Sequence, residues 1–339
     1  MEGALGEMPG KMGAGVLRYS PNPIACIIDS THAGRDHREI TAIMRPCPIV
    51  ASITEARNLG AEVFVLGIAP PGGLVPEAWW PAIDQAVSLG MSVINGLHDR
   101  VAPRYPGLGA GQWVWDIRVE PKGLSVASGR AAELNNRRVL MIGTDMAVGK
   151  MTAGLEIWRF ALAAGVNAAF IATGQIGITI TGRGVPLDAV RVDYAAHAIE
   201  REILGLAHSE LILIEGQGAL IHPGSTANLP LLRGSMPTHL VLCHRAGMTH
   251  LQRLPHIAIP PLREYVALYQ ELATVLGAFP KPILVAGALN THGLSEEAAR
   301  IFLVEFECEL GVPCDDPVRF GADRLARAVM TEESERNQT

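Results

Sequence analysis

The stretch VLMIGTDMAVGKMTAG, residues 139–154, constrains the fold more than any other part of the sequence. An apolar run leads into a turn bounded by Gly143 and Gly149, and Lys150 then opens a segment of helix-forming residues. A strand, a glycine-rich turn and a helix in this order place backbone N–H groups and the positive end of a helix dipole at one spot. The sequence therefore predicts an anion site, most simply for a phosphate, in an α/β protein.

The turn departs from the usual phosphate-binding pattern in two ways. Five residues separate its glycines, one more than in G-x-x-x-x-G-K-[ST], and Met151 stands where Ser or Thr normally follows the lysine. That missing hydroxyl usually coordinates Mg²⁺ beside a nucleoside triphosphate, and Thr152 lies about 100° further around the helix. We expect a loop that holds phosphate but is poorly equipped for Mg-dependent phosphoryl transfer. A plain tight turn with a solvated Lys150 is the alternative.

Short apolar runs bounded by turn residues recur along the chain, as buried parallel strands do. The predicted strands are 23–29, 62–69, 91–96, 138–143, 168–172, 210–215, 238–243 and 282–287. Helical patterns occupy 149–165, 187–207, 262–277 and 296–310. This alternation predicts a small α/β domain followed by a second α/β domain with a doubly wound, mostly parallel sheet.

A polar, turn-rich stretch at 120–138 separates the two sets of elements and is predicted to contain the domain boundary. We expect a flexible tail over 1–19, an N-terminal α/β domain over 20–130, a second α/β domain over 131–330, and a frayed acidic tail over 331–339.

Composition narrows the class of partner. Hydrophobic residues make up 48% and charged residues 18% of the chain, which excludes disorder. The net charge of -6 argues against a nucleic-acid backbone as partner, and no apolar run is long enough to span a membrane. The five cysteines form no CxxC pair and are best explained as buried thiols of a reducing cytoplasm rather than metal ligands. We expect a cytoplasmic protein with a small-molecule partner and no metal.

Polar segments follow four of the predicted strands, at the edge where open α/β sheets bind ligands. They are 173–184, 215–225, 244–250 and 288–293, and they are predicted to converge with the phosphate loop.

The segment 215–225 carries the most chemistry. Glu215 ends an apolar strand and is either a metal-binding or water-positioning acid, or a structural carboxylate that accepts N–H groups from its own loop. Gln217 can orient a carbonyl or an amide, and the glycines on either side of it let backbone approach a ligand closely. His222 follows within loop reach of Glu215.

Other polar side chains are weaker candidates. His244 and Arg245 offer a cationic pair, and Arg183 offers another guanidinium for forked recognition of carboxylate or phosphate. Asp193 and His197 are four residues apart on one predicted helix, where they form either an acid/base couple or an exposed pair.

Five segments in order carry a family resemblance: GTDMAVGKMT, ATGQIGITITGRGVPLDAV, EGQGALIHP, VLCHRAG and IPPLREYVALYQELA. Together they resemble the family formerly known only as a domain of unknown function and now associated with D-glutamate N-acetyltransferase, over roughly residues 40–330. The resemblance implies an N-terminal Rossmann-like domain joined to a C-terminal P-loop NTPase-like domain. It also implies a homodimer or larger homo-oligomer, and transfer of acetyl from acetyl-CoA to the amine of D-glutamate or a related acidic amino acid.

Under this resemblance the loop would hold the phosphates of acetyl-CoA, which undergo no phosphoryl transfer. The residues expected to bind the coenzyme are Gly143, Thr144, Asp145, Val148, Gly149, Lys150, Met151 and Thr152. The catalytic candidates are Glu215, His222, Gln217 and Asp193, with Glu215 or His222 as the base that frees the substrate amine. The substrate-binding candidates are Gln175, Arg183, Gly216, Gly218, His244 and Arg245.

Two alternatives stay open. The GTDxxxGK element also resembles dethiobiotin synthetase, in which Thr directly follows the lysine. An ATP-dependent ligase or kinase of that type would act on a small carboxylate, with Asp145 and Glu215 on Mg²⁺ and Lys150 on the γ-phosphate. The second alternative is a non-catalytic nucleotide-binding switch.

Overall fold

The computed structural model describes residues 1–331, which form two compact units. The first unit contains Met1–Glu120 and Gly174–Ala189, and the second contains Pro121–Thr173 together with the chain from Val190 onward. The predicted acidic tail at 331–339 lies outside the described residues, apart from its first residue. No helix of the described part is long and apolar enough to cross a bilayer.

The strands and helices alternate along most of the chain. The strands are β1 (Ile27–Ile28), β2 (Ile49–Val50), β3 (Val63–Val65), β4 (Ser92–Asn95), β5 (Val114–Asp116), β6 (Arg137–Gly143), β7 (Ala168–Ile171), β8 (Leu211–Ile214), β9 (His239–Arg245), β10 (His250–Leu251), β11 (Leu254–Ala258), β12 (Ile283–Asn290) and β13 (Cys314–Asp315). The α-helices are α1 (Lys11–Tyr19), α2 (Arg38–Thr41), α3 (Ile53–Asn58), α4 (Trp80–Ser88), α5 (Lys150–Ala163), α6 (Gln175–Thr181), α7 (Val192–Gly205), α8 (Asn228–Ser235), α9 (Leu262–Thr274), α10 (Glu296–Leu310) and α11 (Asp323–Met330).

The first unit is built on short parallel strands. β3, β4 and β5 form a three-stranded parallel sheet, and β1 pairs with β2 in a separate parallel pair. The helix α4 packs its fully buried Ile83 into a cluster with Leu97 and Val101. The predicted strands at 62–69 and 91–96 are confirmed as β3 and β4, which are shorter than the apolar runs indicated.

The first nineteen residues are packed rather than loose. They contain a 3₁₀ turn at Met8–Gly10 and the helix α1, whose Met12 is 0% exposed. The N–H of Gly13 donates to Gly67 O at 2.8 Å, and a Cβ added at Gly67 would lie 3.1 Å from the Gly13 Cα. The glycines that indicate a tail in the sequence are needed here for close backbone approach.

The polar segment that begins at residue 173 was predicted as a loop, and this is wrong for most of its length because α6 occupies it. The hydroxyl of Thr179 donates to the carbonyl of Gln175, and that of Thr181 donates to the carbonyl of Gly177. Side chains that would otherwise need outside partners are thus satisfied within the helix. α6 belongs to the first unit, where α1 packs against it.

The second unit has the doubly wound sheet that the sequence predicts. Its six strands are all parallel and lie in the order β13-β12-β9-β6-β8-β7. β6, which leads into the phosphate loop, therefore lies between β8 and β9. The predicted ends of α10 are confirmed, since Ser295 Oγ accepts the N–H of Ala298 and Gly311 closes the helix at φ +71°. The sequence patterns did not predict the helices α8 and α11 or the antiparallel β10–β11 hairpin.

β9 is longer than the sequence predicts. His244 and Arg245 were assigned to the loop after it, but they are its last two residues, because they pair in register with Leu289 and Asn290 of β12. Adjacent strand residues point to opposite faces of a sheet, so these two side chains do not act side by side.

Candidate functional site

The loop between β6 and α5 has the backbone of an anion site. Gly149, immediately before α5, has φ +106°, a region that L-residues rarely adopt. A Cβ added at Gly143 would lie 2.9 Å from Val148 Cγ2 and 3.0 Å from Lys150 Nζ. Glycine is therefore favoured at Gly149 by its backbone conformation and at Gly143 by the close approach of the Val148 and Lys150 side chains. The first N–H groups of α5 have no partners within the helix, and this leaves them available to a ligand.

Lys150 lies inside this loop. Its side chain is only 5% exposed, and Nζ donates to the carbonyl oxygens of Asp145 at 2.7 Å and Met146 at 3.1 Å. Burial lowers the pKa of Lys150 to about 8, against the opposing effect of Cys243, Asp145 and Glu215. A buried cation whose hydrogen-bond partners are neutral carbonyls gains from an anionic ligand, because the ligand adds a direct charge-assisted hydrogen bond.

Asp145 stabilises the loop through both of its carboxylate oxygens. Oδ1 accepts the N–H of Met146 at 2.6 Å, and Oδ2 accepts the N–H of Gln252 at 2.9 Å. Gln252 is in the turn between β10 and β11. The carboxylate thus joins the phosphate loop to the hairpin, a role the sequence did not predict.

The side chain of Thr144, in the loop, contacts that of His244 at the end of β9. Oγ1 of Thr144 lies 2.8 Å from Nδ1 of His244, and the His244 ring stacks on Phe306 with centroids 5.7 Å apart. Burial lowers the pKa of His244 to about 4. The ring is therefore neutral near pH 7, and the expectation that His244 and Arg245 form a cationic pair is wrong.

Glu215 lies directly after β8 and is 5% exposed. Its Oε2 accepts the N–H of Thr173 at 2.8 Å, and its carbonyl accepts the Thr173 hydroxyl at 2.8 Å. The carboxylate is held at a fixed position beside the end of β7, near enough to Lys150 to act on its pKa. Gly216 follows so close to β6 that an added Cβ would lie 1.7 Å from Met141 O.

The segment after Gly216 is tied back onto the loop. Gly218 has φ +68°, and an added Cβ would lie 1.8 Å from Ser225 Oγ, so only glycine fits. Tyr265 Oη accepts the N–H of Leu220 and donates to Gly143 O, both at 3.0 Å. This buried phenol connects the end of β6 with the segment that follows β8.

His222 is half-buried in the same segment. Its Nδ1 accepts the N–H of Gly224 at 3.1 Å. A neutral ring with Nδ1 as acceptor carries its hydrogen on Nε2, so His222 presents a donor at Nε2. This geometry fits stabilisation of an oxyanion better than removal of a proton.

The other predicted side chains are more dispersed. Gln217, Arg245, Met151 and Thr152 are half-buried in the second unit. Asp193 is exposed in the first turn of α7, where a carboxylate is favourable to the helix dipole. His197, four residues on, accepts the N–H of Ser125 at 3.1 Å. Gln175 begins α6, and Arg183 follows that helix, so both lie in the first unit.

Sequence reasoning missed Thr173, Gln252 and Tyr265. Each contacts the loop or Glu215 through hydrogen bonds from a position far away in sequence. Two of the three fall within segments that carry the family resemblance, Thr173 in ATGQIGITITGRGVPLDAV and Tyr265 in IPPLREYVALYQELA.

Comparisons with known proteins agree with this architecture. Residues 125–326 match a family described as "Domain of unknown function (DUF1611_C) P-loop domain", and residues 30–121 match "Domain of unknown function (DUF1611_N) Rossmann-like domain". A crystal structure of a DUF1611 family protein from Anabaena variabilis superposes with a TM-score of 0.92 at 48% identity, covering 97% of each chain.

Two curated relatives carry the name D-glutamate N-acetyltransferase. The protein from Tritonibacter scottomollicae is 37% identical over 284 residues, which cover 82% of this chain and 84% of the relative. The protein from Pseudoalteromonas sp. is 35% identical over 279 residues, which cover 81% of this chain and 83% of the relative.

Proposed function

The chain belongs to the DUF1611 family, with its Rossmann-like and P-loop domains, and we propose that it moves an acetyl group from acetyl-CoA to the amine of D-glutamate or a related acidic amino acid. The two relatives named D-glutamate N-acetyltransferase support its assignment as an N-acetyltransferase. The donor and the acceptor are the proposed part. A cytoplasmic location and a homodimer or larger homo-oligomer stay predictions.

The observation that carries the donor assignment is a complete phosphate loop with Met151 in place of the metal-binding hydroxyl. Coenzyme A carries a pyrophosphate whose bonds to phosphorus stay intact during acyl transfer. It needs N–H donors and a cation, both of which the loop has, and it needs no group to position Mg²⁺ at a reacting phosphate. Asp145 fits the same assignment, because both of its oxygens hold backbone N–H groups.

In this proposal Lys150 exchanges its carbonyl partners for a phosphate oxygen. In this structure the loop carbonyls of Asp145 and Met146 accept hydrogen bonds from Lys150 Nζ. A charge-assisted bond to phosphate is about twice as strong as a bond to a neutral carbonyl. The exchange therefore gives the buried ammonium a stronger hydrogen bond, and the difference contributes to the free energy of binding.

Acetyl transfer requires an unprotonated amine, and we assign Glu215 as the base that accepts the proton of the substrate ammonium. The amine nitrogen forms a bond to the thioester carbon, and the carbonyl oxygen becomes an oxyanion. Donors for that oxyanion are Nε2–H of His222, the Gln217 amide and the N–H groups of residues 216–219. The C–S bond then breaks, the nitrogen gives up its second proton to the departing thiolate, and the amide product and the free thiol of coenzyme A form. His222 acts here as a donor, which its tautomer favours.

Arg245, at the end of β9, is the proposed partner for a carboxylate of the acceptor, since a guanidinium can bind both carboxylate oxygens. Gln175 and Arg183 stay predictions for acceptor binding.

The test measures release of free thiol from acetyl-CoA with D-glutamate, L-glutamate and other amino acids as acceptors. We expect D-glutamate to give the highest kcat/KM. In Glu215→Gln, kcat should fall by a factor of about 10² to 10⁴, the usual contribution of a general base, while acetyl-CoA binds as before. Glu210→Gln, an exposed substitution just before the other end of β8, is the matched control and should leave kcat unchanged. Full activity of Glu215→Gln would remove Glu215 from the mechanism.

A further inference from the structure

A cavity of about 390 Å³ opens in the second unit at the carboxyl ends of β9 and β12. It lies over α9 and α10, and its walls include His244, Met248, Ile259, Leu289, Phe302 and Phe306. This volume is within the range of about 300–1,000 Å³ typical of small-molecule sites. None of the candidate catalytic residues that follow β8 lines it.

The cavity lies next to the phosphate loop, with one direct contact and one contact through the β10–β11 hairpin. His244, in its wall, lies 2.8 Å from the Thr144 hydroxyl of the loop. Met248 and Thr249, on the chain leading into the β10–β11 hairpin, also line it, and that hairpin binds Asp145 of the loop through Gln252 N–H. The cavity and the phosphate loop are therefore neighbours at the carboxyl edge of the sheet.

The charge of the walls determines what fits. Glu305 and Glu309 of α10 line the cavity, and no lysine or arginine among the described residues does so. His244 adds no positive charge, because its pKa lies near 4. Carboxylates beside apolar walls repel phosphates and carboxylates and accept hydrogen bonds from N–H groups. The cavity suits a neutral, flat group with an exocyclic amine.

The order of the strands distinguishes the two arms of coenzyme A. Its pyrophosphate is central, with the acyl-pantetheine arm on one side and adenosine on the other. β6 carries the phosphate loop, β8 leads to Glu215 and His222, and β9 and β12 lead to the cavity. The thioester must reach the residues after β8, where the proposed base and oxyanion donors are. The opposite arm is therefore the one directed over β9 and β12.

From this arrangement we propose that the cavity beside His244 binds the adenine end of the acyl donor, with Glu305 or Glu309 accepting from the adenine amine. The 3′-phosphate of the coenzyme stays outside the part of the cavity that Glu305 and Glu309 line. This inference rests on the proposed function, since it assumes that coenzyme A is the ligand of the loop.

The test measures calorimetric affinities of two fragments, adenosine 3′,5′-bisphosphate and 4′-phosphopantetheine, together with acetyl-CoA. Phe302→Trp fills the cavity from α10, and Val304→Trp, on the same helix with a side chain 70% exposed, is the matched control. Phe302→Trp should weaken the bisphosphate about tenfold and leave phosphopantetheine unchanged, whereas Val304→Trp changes neither. Glu305→Ala removes an exposed carboxyl without disturbing the core. It should weaken binding of adenosine 3′,5′-bisphosphate but not of inosine 3′,5′-bisphosphate.

The outcomes separate this inference from the proposed function. If Phe302→Trp weakens only phosphopantetheine, or neither fragment, the adenine assignment is overturned while acetyl-CoA binding by the wild type keeps the transferase. If the wild type binds adenosine 3′,5′-bisphosphate in a Phe302-dependent manner but not acetyl-CoA, the cavity assignment holds and the donor assignment fails. Binding of no fragment by the wild type overturns both.

Discussion

Two buried cations lie at opposite ends of β6, and their hydrogen-bond donors are satisfied very differently. Arg138, near the amino end, is 1% exposed, and its guanidinium is surrounded by oxygen acceptors. These are Ser235 O, Met236 O, Leu134 O, Asn136 O and Asn136 Oδ1, at 2.9–3.1 Å. Lys150, beyond the carboxyl end, has an ammonium with three hydrogens and donates to two carbonyls.

The pKa values follow the same contrast. Burial lowers the pKa of Arg138 to about 10 and that of Lys150 to about 8. Arg138 stays charged at any physiological pH and joins β6 to the segments around it. Lys150 is nearer to losing its charge, and an anionic ligand would prevent that loss. We infer from this contrast that Arg138, with many acceptors, has a structural role, and we propose that Lys150, with few acceptors in a glycine-rich loop, binds a ligand.

The largest effect is expected from Arg138→Met. The substitution leaves several buried carbonyls without donors, and each such group costs about 1–3 kcal/mol, so the free energy of unfolding should fall by roughly 3 kcal/mol or more. Urea denaturation measures this. Arg300→Met, on the exposed face of α10 with a 62% exposed side chain, is the control and should cost less than about 1 kcal/mol. Equal losses in the two variants would break the distinction between the cations.

Lys150→Met should have the reverse profile. Acetyl-CoA affinity should fall about 100-fold, equivalent to roughly 2.7 kcal/mol, because the buried charge that faces the phosphates is gone. The free energy of unfolding should stay the same or rise, since the variant no longer buries a cation. Calorimetric titration and urea denaturation on one preparation measure both. Loss of stability with unchanged affinity would make Lys150 a structural cation like Arg138.

The pKa of Lys150 gives a pH dependence with a definite sign. The folded value is about 8, whereas the unfolded value is about 10.4. Between these limits the unfolded chain binds a proton that the folded chain has lost, so the free energy of unfolding contributed by this group rises with pH, by up to about 3 kcal/mol. It should be lowest below pH 8. Urea denaturation at successive pH values gives the free energies of unfolding of the wild type and of Lys150→Met. Their difference isolates the contribution of Lys150, and a difference that does not change with pH would contradict the prediction.

Features that depend on contacts between residues distant in sequence are hard to predict from the sequence, and the candidate site gives examples. The unit β6–loop–α5 was predicted because strand, glycines and lysine are contiguous in sequence. Arg138 was passed over because NNRR resembles a polar linker, and two of its acceptors, Ser235 O and Met236 O, lie about 100 residues away.

The segment 173–184 was mistaken for a loop because its threonine and glycine content conceals a helix whose hydroxyls bond internally. The first nineteen residues were mistaken for a tail because glycines used for close packing look the same as glycines used for flexibility. The cavity beside His244 has walls from β9, α10 and the chain before α9, and no local pattern links them.

A smaller effect is expected from Tyr265→Phe, which tests whether the loop around Lys150 is already formed without ligand. The substitution removes the hydroxyl that joins Gly143 O to Leu220 N, and the free energy of unfolding should fall by about 1–2 kcal/mol. Acetyl-CoA affinity should fall only severalfold. Tyr194→Phe, on α7 with its ring against Arg191, is the control and should change neither quantity.

The most direct test of the central claim is calorimetric titration of the wild-type protein with acetyl-CoA in EDTA, repeated with Mg²⁺. We predict binding of equal affinity in both, because Lys150 and the loop N–H groups hold the pyrophosphate without a metal. Binding that requires Mg²⁺, or Mg-dependent binding of ATP with release of ADP, would contradict the account and favour a ligase or kinase.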